Sequence, residues 1–321
     1  MGYTNFPNGI TSMGSPVVGF PTPGNVYFLD PTNGNDSNDG KNVSTAFKTL
    51  TTAYAALTDG KNDVLYYIAG TSSISLSAAF DWAKSYTHFI GVAAPTMIGS
   101  RARIFQTASA TALSPLITVS GIGCIWENIY VFQGVADATS LVAVSVTGDR
   151  NSFKRCQFVG GGHETNNIDD SASLQLAGAY ENTFDECVFG SDTTYSETGS
   201  NVLRLTTVGS RNIFKGCIFQ SKIDSDGTAA ALVEATGNDS LNTWTLFDNC
   251  SFIVTSDNRL TAMATAFVLP ANTQQTATYL LKGCVGVGFS KWDTNDRNVV
   301  FGDMGTPTGI DLSGVALALD G

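Results

Sequence analysis

Phe184-Asp185-Glu186-Cys187-Val188-Phe189 and Phe214-Lys215-Gly216-Cys217-Ile218-Phe219 are two copies of one six-residue pattern. The same pattern appears as Phe153-Lys154-Arg155-Cys156-Gln157-Phe158 and as Phe247-Asp248-Asn249-Cys250-Ser251-Phe252. It fades into Leu281-Lys282-Gly283-Cys284-Val285-Gly286 and, upstream, into Trp126-Glu127-Asn128-Ile129-Tyr130-Val131. The cysteines recur at intervals of 31, 30, 33 and 34 residues. A constant motif at a slightly variable interval describes a solenoid whose loops differ while its core repeats. Each copy follows a second apolar run, such as Leu141–Val146, Leu174–Ala177, Val202–Leu205 and Ala266–Leu269. One winding is therefore two or three short strands joined by bends.

Stacking the copies turns sequence positions into columns about 4.8 Å apart along the axis. The first column holds Trp126, Phe153, Phe184, Phe214, Phe247 and Leu281. A second holds Val131, Phe158, Phe189, Phe219, Phe252 and Gly286. Both suit a buried aromatic stack. The Phe and Cys of each copy lie three apart, which breaks strand parity and requires a bend between them. The residue before the cysteine is Asn128, Arg155, Glu186, Gly216, Asn249 or Gly283, and four of these six tolerate a left-handed backbone. The outward position beside it reads Glu127, Lys154, Asp185, Lys215, Asp248, Lys282. Strict alternation of sign is what stacked neighbours prefer. The cysteines lack C-x-x-C spacing and nearby histidines, so they read as reduced, inward-facing thiols, with Cys124 free as well.

Hydrophobic residues make up 43% of the 321, and charged residues only 14%. A surface wetted by Thr, Ser, Asn and Gly fits stacked strands better than helices. The 17 basic and 28 acidic residues leave a net charge of −11, which disfavours nucleic acid and anionic membranes as partners. No secretory signal or membrane-length apolar run is visible. Residues 1–25 carry five glycines and four prolines and read as an extended arm. Phe47, Leu50, Tyr54 and Leu57 recur at helical spacing and predict a capping helix at about 45–58, started by Ser44 or Thr45. The expected organisation is an arm over 1–25, a right-handed parallel β-helix over 26–300, and a C-terminal tail or cap over 301–321.

Val26–Asp30, the loop Asn35–Gly40, Ala46–Leu50 and Asp63–Tyr66 together resemble the opening of pectate-lyase-like β-helix proteins. That resemblance implies the all-β right-handed parallel β-helix and leaves the activity open, since such proteins include lyases, hydrolases, tailspikes and inert virion proteins. The arm Tyr3–Ser12, followed by Gly14-Ser15-Pro16, resembles the start of tailed-phage capsid-associated proteins. It implies a virion location after assembly in the host cytoplasm, and partnership of residues 1–25 with a major capsid or other virion protein.

Glycan cleavage needs a positioned carboxylate pair. The best cluster is His163, Glu164, Asp169 and Asp170 in one long insertion. It imitates the paired Asp and Gly-His-Gly of polygalacturonase-like enzymes only loosely, in the wrong order and spacing, and reads as a solvated loop. Arg204, Arg211, Lys222 and Arg259 show no evident grouping with acids of the kind a pectate lyase requires. Asp30–Asp39 has the composition of a calcium loop, but Ala46 stands where an EF-hand glutamate would close it, so a turn network is expected. Only His88 and His163 are present, which disfavours histidine triads and zinc sites. No catalytic, cofactor-binding or metal residue is assigned. Val188, Ile218 and Val285 on an outward face suggest cover by a loop or by another subunit, and the family resemblance implies a homotrimer. The reading is a non-enzymatic virion structural protein, a capsid decoration or head spike. The alternative is a tailspike-type glycan-binding or glycan-depolymerising protein, with a cellular carbohydrate-binding module as a third.

Overall fold

The computed structural model describes residues 24–237, 240, 242–256, 261–270, 278–294 and 299–301, with the backbone of 11–12 and 15–16. Of the arm expected over 1–25, the described parts are residues 24–25 and an antiparallel pairing of Thr11–Ser12 with Ser15–Pro16. The expected tail over 302–321 lies outside the described residues.

Among the described residues between Val26 and Phe301 the chain winds as a parallel β-helix with three sheets of ten, eight and eight strands. Sheet 1 contains Ser152–Lys154, Thr183–Asp185, Asn212–Lys215 and Trp244–Asp248; sheet 2 contains Gln157–Val159, Val188–Ser196, Ile218–Ile223 and Ser251–Ser256. Sheet 3 contains Val142–Val146, Ala172–Ala177, Asn201–Thr207, Ala231–Ala235 and Met263–Val268. Every pairing within these sheets is parallel, and each strand pairs with its counterpart one winding away.

The repeat columns are the observed registers. Trp126, Phe153, Phe184, Phe214, Phe247 and Leu281 face one another in sequence, and so do Val131, Phe158, Phe189, Phe219, Phe252 and Gly286. Ring centroids of Phe153, Phe184, Phe214 and Phe247 lie 4.8, 4.7 and 5.0 Å apart, with planes within 9° of parallel. Rings of the two columns meet edge to face, as Phe214 and Phe219 do at 5.4 Å and 67°. The stack extends upstream through Tyr27, Leu65 and Phe89.

The bend after each Phe is left-handed in all six copies: Asn128, Arg155, Glu186, Gly216, Asn249 and Gly283 have φ between 49° and 59°. Arg155 and Glu186 occupy a conformation that costs an ordinary residue about 1–2 kcal/mol. The following thiol turns inward and donates to the carbonyl of the aromatic residue one coil before, from Cys187 to Phe153, Cys217 to Phe184 and Cys250 to Phe214, each at 3.4 Å. All six cysteines are free. Burial pushes the Cys187 thiol up, so it remains a protonated donor.

A second bend precedes six of the ten sheet 1 strands, again left-handed, at Asn62, Tyr86, Gly123, Arg150, Glu181 and Arg211. Just inside it runs a buried amide ladder. The Oδ1 atoms of Asn151, Asn182 and Asn212 accept from the backbone N–H of Cys124, Asn151 and Asn182 at 2.7, 2.8 and 3.0 Å. Their amides donate to the carbonyls of Gly121, Gly148 and Ala179. A bend inside a dry core strands backbone polar groups, and these side chains satisfy them.

The helix spans Leu50–Ala56 and begins later than expected. Its cap is Thr49 rather than Ser44 or Thr45, and Val43–Thr45 forms a separate 3-10 turn. The reason lies in the loop: the Asp36 carboxylate accepts from the N–H groups of Lys48 and Thr49, both at 2.9 Å, and pins that start. Leu50 and Ala53 are buried, while the Tyr54 ring lies 5.2 Å from Phe80 and 4.9 Å from Trp82, closing the first coil.

Two substitutions test this reading of the bends. Glu186→Gly relieves a left-handed side chain and is expected to stabilise by about 0.5–1 kcal/mol, net of the entropy glycine adds to the unfolded chain. Asn182→Ala strands a buried N–H and carbonyls and is expected to cost about 2–4 kcal/mol. Denaturant titration followed by circular dichroism measures both; equal effects would contradict the assigned roles.

Candidate functional site

The insertion between sheet 2 and sheet 3 that carries His163, Glu164, Asp169 and Asp170 is held by its amides. His163 caps the short turn Glu164–Asn166: its Nδ1 accepts from Thr165 N–H at 3.1 Å, and its own N–H donates to Asn166 Oδ1 at 3.1 Å. Asn166 is fully buried and donates to the Ser140 carbonyl at 3.0 Å. Asn167 donates to the Tyr195 carbonyl at 2.9 Å and accepts from Ser200 Oγ at 2.6 Å. His163 is thus occupied as a backbone cap, and Asp169 packs against Gly199, where a Cβ would meet its carboxylate.

Asp170 is different, and here the structure corrects the sequence reading that Arg204 groups with no acids. Gln175, Arg204 and Glu234 share one column on the outer face of sheet 3. Arg204 pairs through Nη2 with Asp170 and through Nε with Glu234, the latter at 3.1 Å; Asn201 Nδ2 adds a 2.9 Å hydrogen bond to the same Glu234 oxygen. Burial raises the Glu234 pKa, Arg204 opposes that, and Asp170 and Asp169 add to it, leaving the carboxyl above its ordinary range. Two carboxylates and a guanidinium therefore converge across three coils. Sequence alone hid this because the three residues sit 30 or more positions apart, Asp170 in a loop and Arg204 and Glu234 on successive strands. The signal was available in the column Gln175, Arg204, Glu234.

Arg211 also groups with an acid. Glu181 accepts from Arg211 Nη2 and from Arg150 Nε, each at 2.7 Å, so the residues at the second bend form their own ladder of alternating charge. Hydrogen bonding from Arg211 holds the Glu181 carboxyl below its ordinary range. Lys222 lies over the Tyr195 ring at 4.2 Å, and Arg259 lies outside the described residues. Arg103 stands over Phe132, Tyr130 and Phe105 on the outer face of sheet 2, at 4.4, 5.2 and 5.9 Å.

The loop Asp30–Asp39 spends its oxygens on its own backbone. Asp30 accepts from Thr32 and Asn33 N–H, Asn35 from Ser37 N–H, and Asp39 from Lys41 N–H and Thr45 Oγ1. Among the described residues no group of three or more His, Cys, Asp or Glu side chains is arranged to hold a metal ion. A cleft of about 420 Å³ beside the helix is lined by Lys48–Thr51 and Ser73–Phe80 and has no carboxylate in its wall. A second, of about 470 Å³ beneath Ala93 and Pro95, contains one acid, Glu127, paired with Arg155. Of the outward apolar trio, Val188 is buried within the chain, Ile218 is half-buried and Val285 is 58% exposed.

Neither a scan against models of known protein families nor a search of curated proteins finds a match to this sequence. Solved structures do resemble the fold. A pectin methylesterase from Erwinia chrysanthemi superposes with a TM-score of 0.56 at 17% identity, covering 83% of this chain and 80% of that one. The pectate lyase Pel9A gives 0.50 at 14%, over 86% of this chain and 78% of that one. ORF18 of Geobacillus virus E2 gives 0.44 at 12%, over 86% of this chain and 60% of that one, a looser likeness from which no role follows. At these identities the likeness is one of fold alone, the parallel β-helix.

Arg204→Met tests the charge cluster. It leaves Glu234, whose side chain is 25% exposed, beside Asp170 without a cation. The expected cost is about 1–2 kcal/mol at pH 7, discounted from the larger penalty of a fully buried orphan charge. A raised acid pKa means the folded state binds the proton more readily, so the loss should shrink by pH 4.5 as Glu234 protonates. Melting of both proteins at the two pH values measures this; a pH-independent difference would contradict it.

Proposed function

We propose that this chain is a non-enzymatic structural protein of a tailed-phage virion, a capsid decoration or head spike, with residues 1–23 as its anchor and the β-helix as its projecting body. The observation that carries this reading is the use to which the polar residues are put. His163, Asn166 and the Asp30–Asp39 loop cap turns, and Asp170, Glu181 and Glu234 neutralise arginines one coil away. Such a distribution stiffens a rod. The arm's resemblance to capsid-associated proteins supports the location and the capsid partner. The boundary is set at residue 23 because Asn25 belongs to the body: its N–H donates to the buried Asp63 at 2.6 Å.

A second reading is favoured by one specific observation, the Asp170–Arg204–Glu234 cluster on an outer sheet face, together with the pectin-active neighbours of the same fold. Under it the chain is a tailspike-type glycan-binding or glycan-depolymerising protein.

Two experiments test these readings. A variant lacking residues 1–23 should keep its β-sheet circular dichroism and its melting temperature within a few degrees, yet be absent from purified particles. Its incorporation at the full-length level would contradict the anchor. Release of reducing ends from host surface polysaccharide by the full-length protein, lost on Glu234→Gln, would favour the second reading.

A further inference from the structure

Strand alternation places Trp244, Leu246 and Asp248 on the outer face of sheet 1, opposite the buried Thr245 and Phe247. The same face carries Ile213 and Lys215 one coil earlier, and Leu280 and Lys282 one coil later. Ile213, Leu246 and Leu280 are direct register partners. They form a stripe parallel to the axis, half-buried by their own neighbours and facing away from the core. In the preceding two coils the same column holds Ser152 and Thr183, with Ile125 before them, so the unbroken apolar stripe lies in the C-terminal windings. Trp244 flanks it, half-buried, and among the described residues its indole stacks on no other ring.

We propose that this stripe is the contact surface for a second copy of the β-helix. Two features select that occupant. First, the stripe repeats once per coil, about 4.8 Å, and a partner that fills it must present side chains at the same spacing over several levels. Another copy of this solenoid does so. Second, the flanking row Lys215, Asp248, Lys282 alternates in sign and continues upstream as Asp185 and Lys154. A like row offset by one coil meets the opposite charge at every level, whereas a uniformly charged partner would meet repulsion at every second one. A tryptophan beside an aliphatic stripe with a charged rim has the composition of an interface centre. The proposal does not depend on the virion reading. It gives self-association a definite face, with the two charge rows one coil out of step.

Analytical ultracentrifugation of the full chain at tens of micromolar tests it, with Leu246→Glu, the milder Trp244→Ser, and Val287→Glu as a control on the exposed edge of sheet 2, where Val287 is 62% exposed. The wild type and Val287→Glu should sediment as oligomers. Leu246→Glu should sediment as a monomer, and Trp244→Ser should raise the dissociation constant at least tenfold, both with unchanged β-sheet circular dichroism. A monomeric wild type would overturn self-association altogether, leaving the stripe to be covered from within the chain. An oligomeric wild type whose mass Leu246→Glu and Trp244→Ser leave unchanged, or which Val287→Glu dissociates, would overturn the face while keeping the self-association.

Discussion

A parallel coil obliges each residue to lie about 4.8 Å from its counterpart one winding away, and everything else in this chain follows from that requirement. Aromatic side chains meet it well. The rings of Phe153, Phe184, Phe214 and Phe247 stack nearly flat at the spacing the backbone imposes, and the second column braces them edge to face. Such pairs contribute about 0.5–1.5 kcal/mol beyond the area they bury, and here they recur along the axis. The same requirement punishes any group that cannot be repeated. Like charges would lie one above another, which is why both outward ladders at the bends of sheet 1 alternate in sign.

The bends are the costly part. In four successive sheet 1 strands, from Ile125–Glu127 to Asn212–Lys215, the chain turns sharply at both ends, and each of these turns uses a left-handed residue. The turns also strand backbone groups inside an apolar core. At one bend a thiol donates to the carbonyl left behind, and at the other an asparagine side chain bonds to both kinds of backbone group. Thiol and amide columns are thus the polar counterpart of the aromatic ones. Their burial explains why cysteines so regularly spaced stay free thiols.

Much of this was legible in the sequence, for reasons that can be located. The Phe-x-x-Cys spacing exposed the first bend because it violates strand parity, and the charge row fixed the stacking order. The second bend escaped, although Arg150-Asn151, Glu181-Asn182 and Arg211-Asn212 repeat it in plain view. The coil at Phe89 also escaped, because residues 93–102 replace its one-residue bend with a loop and no cysteine follows. At the candidate site the insertion holding Asp170 was visible, whereas its partners Arg204 and Glu234 were not, since their grouping exists only after two further windings bring them alongside. That is the general limit in a solenoid: columns can be read from the repeat, but contacts between a loop and a column cannot.

The most direct test is a distance along one outward column. Spin labels on Lys154→Cys and Lys282→Cys, in a Cys284→Ala background, sit four windings apart in a single ladder. Pulsed electron resonance should return a narrow distribution centred at about 19 Å, four coil spacings. A separation beyond about 30 Å, or a broad distribution, would contradict stacking in register.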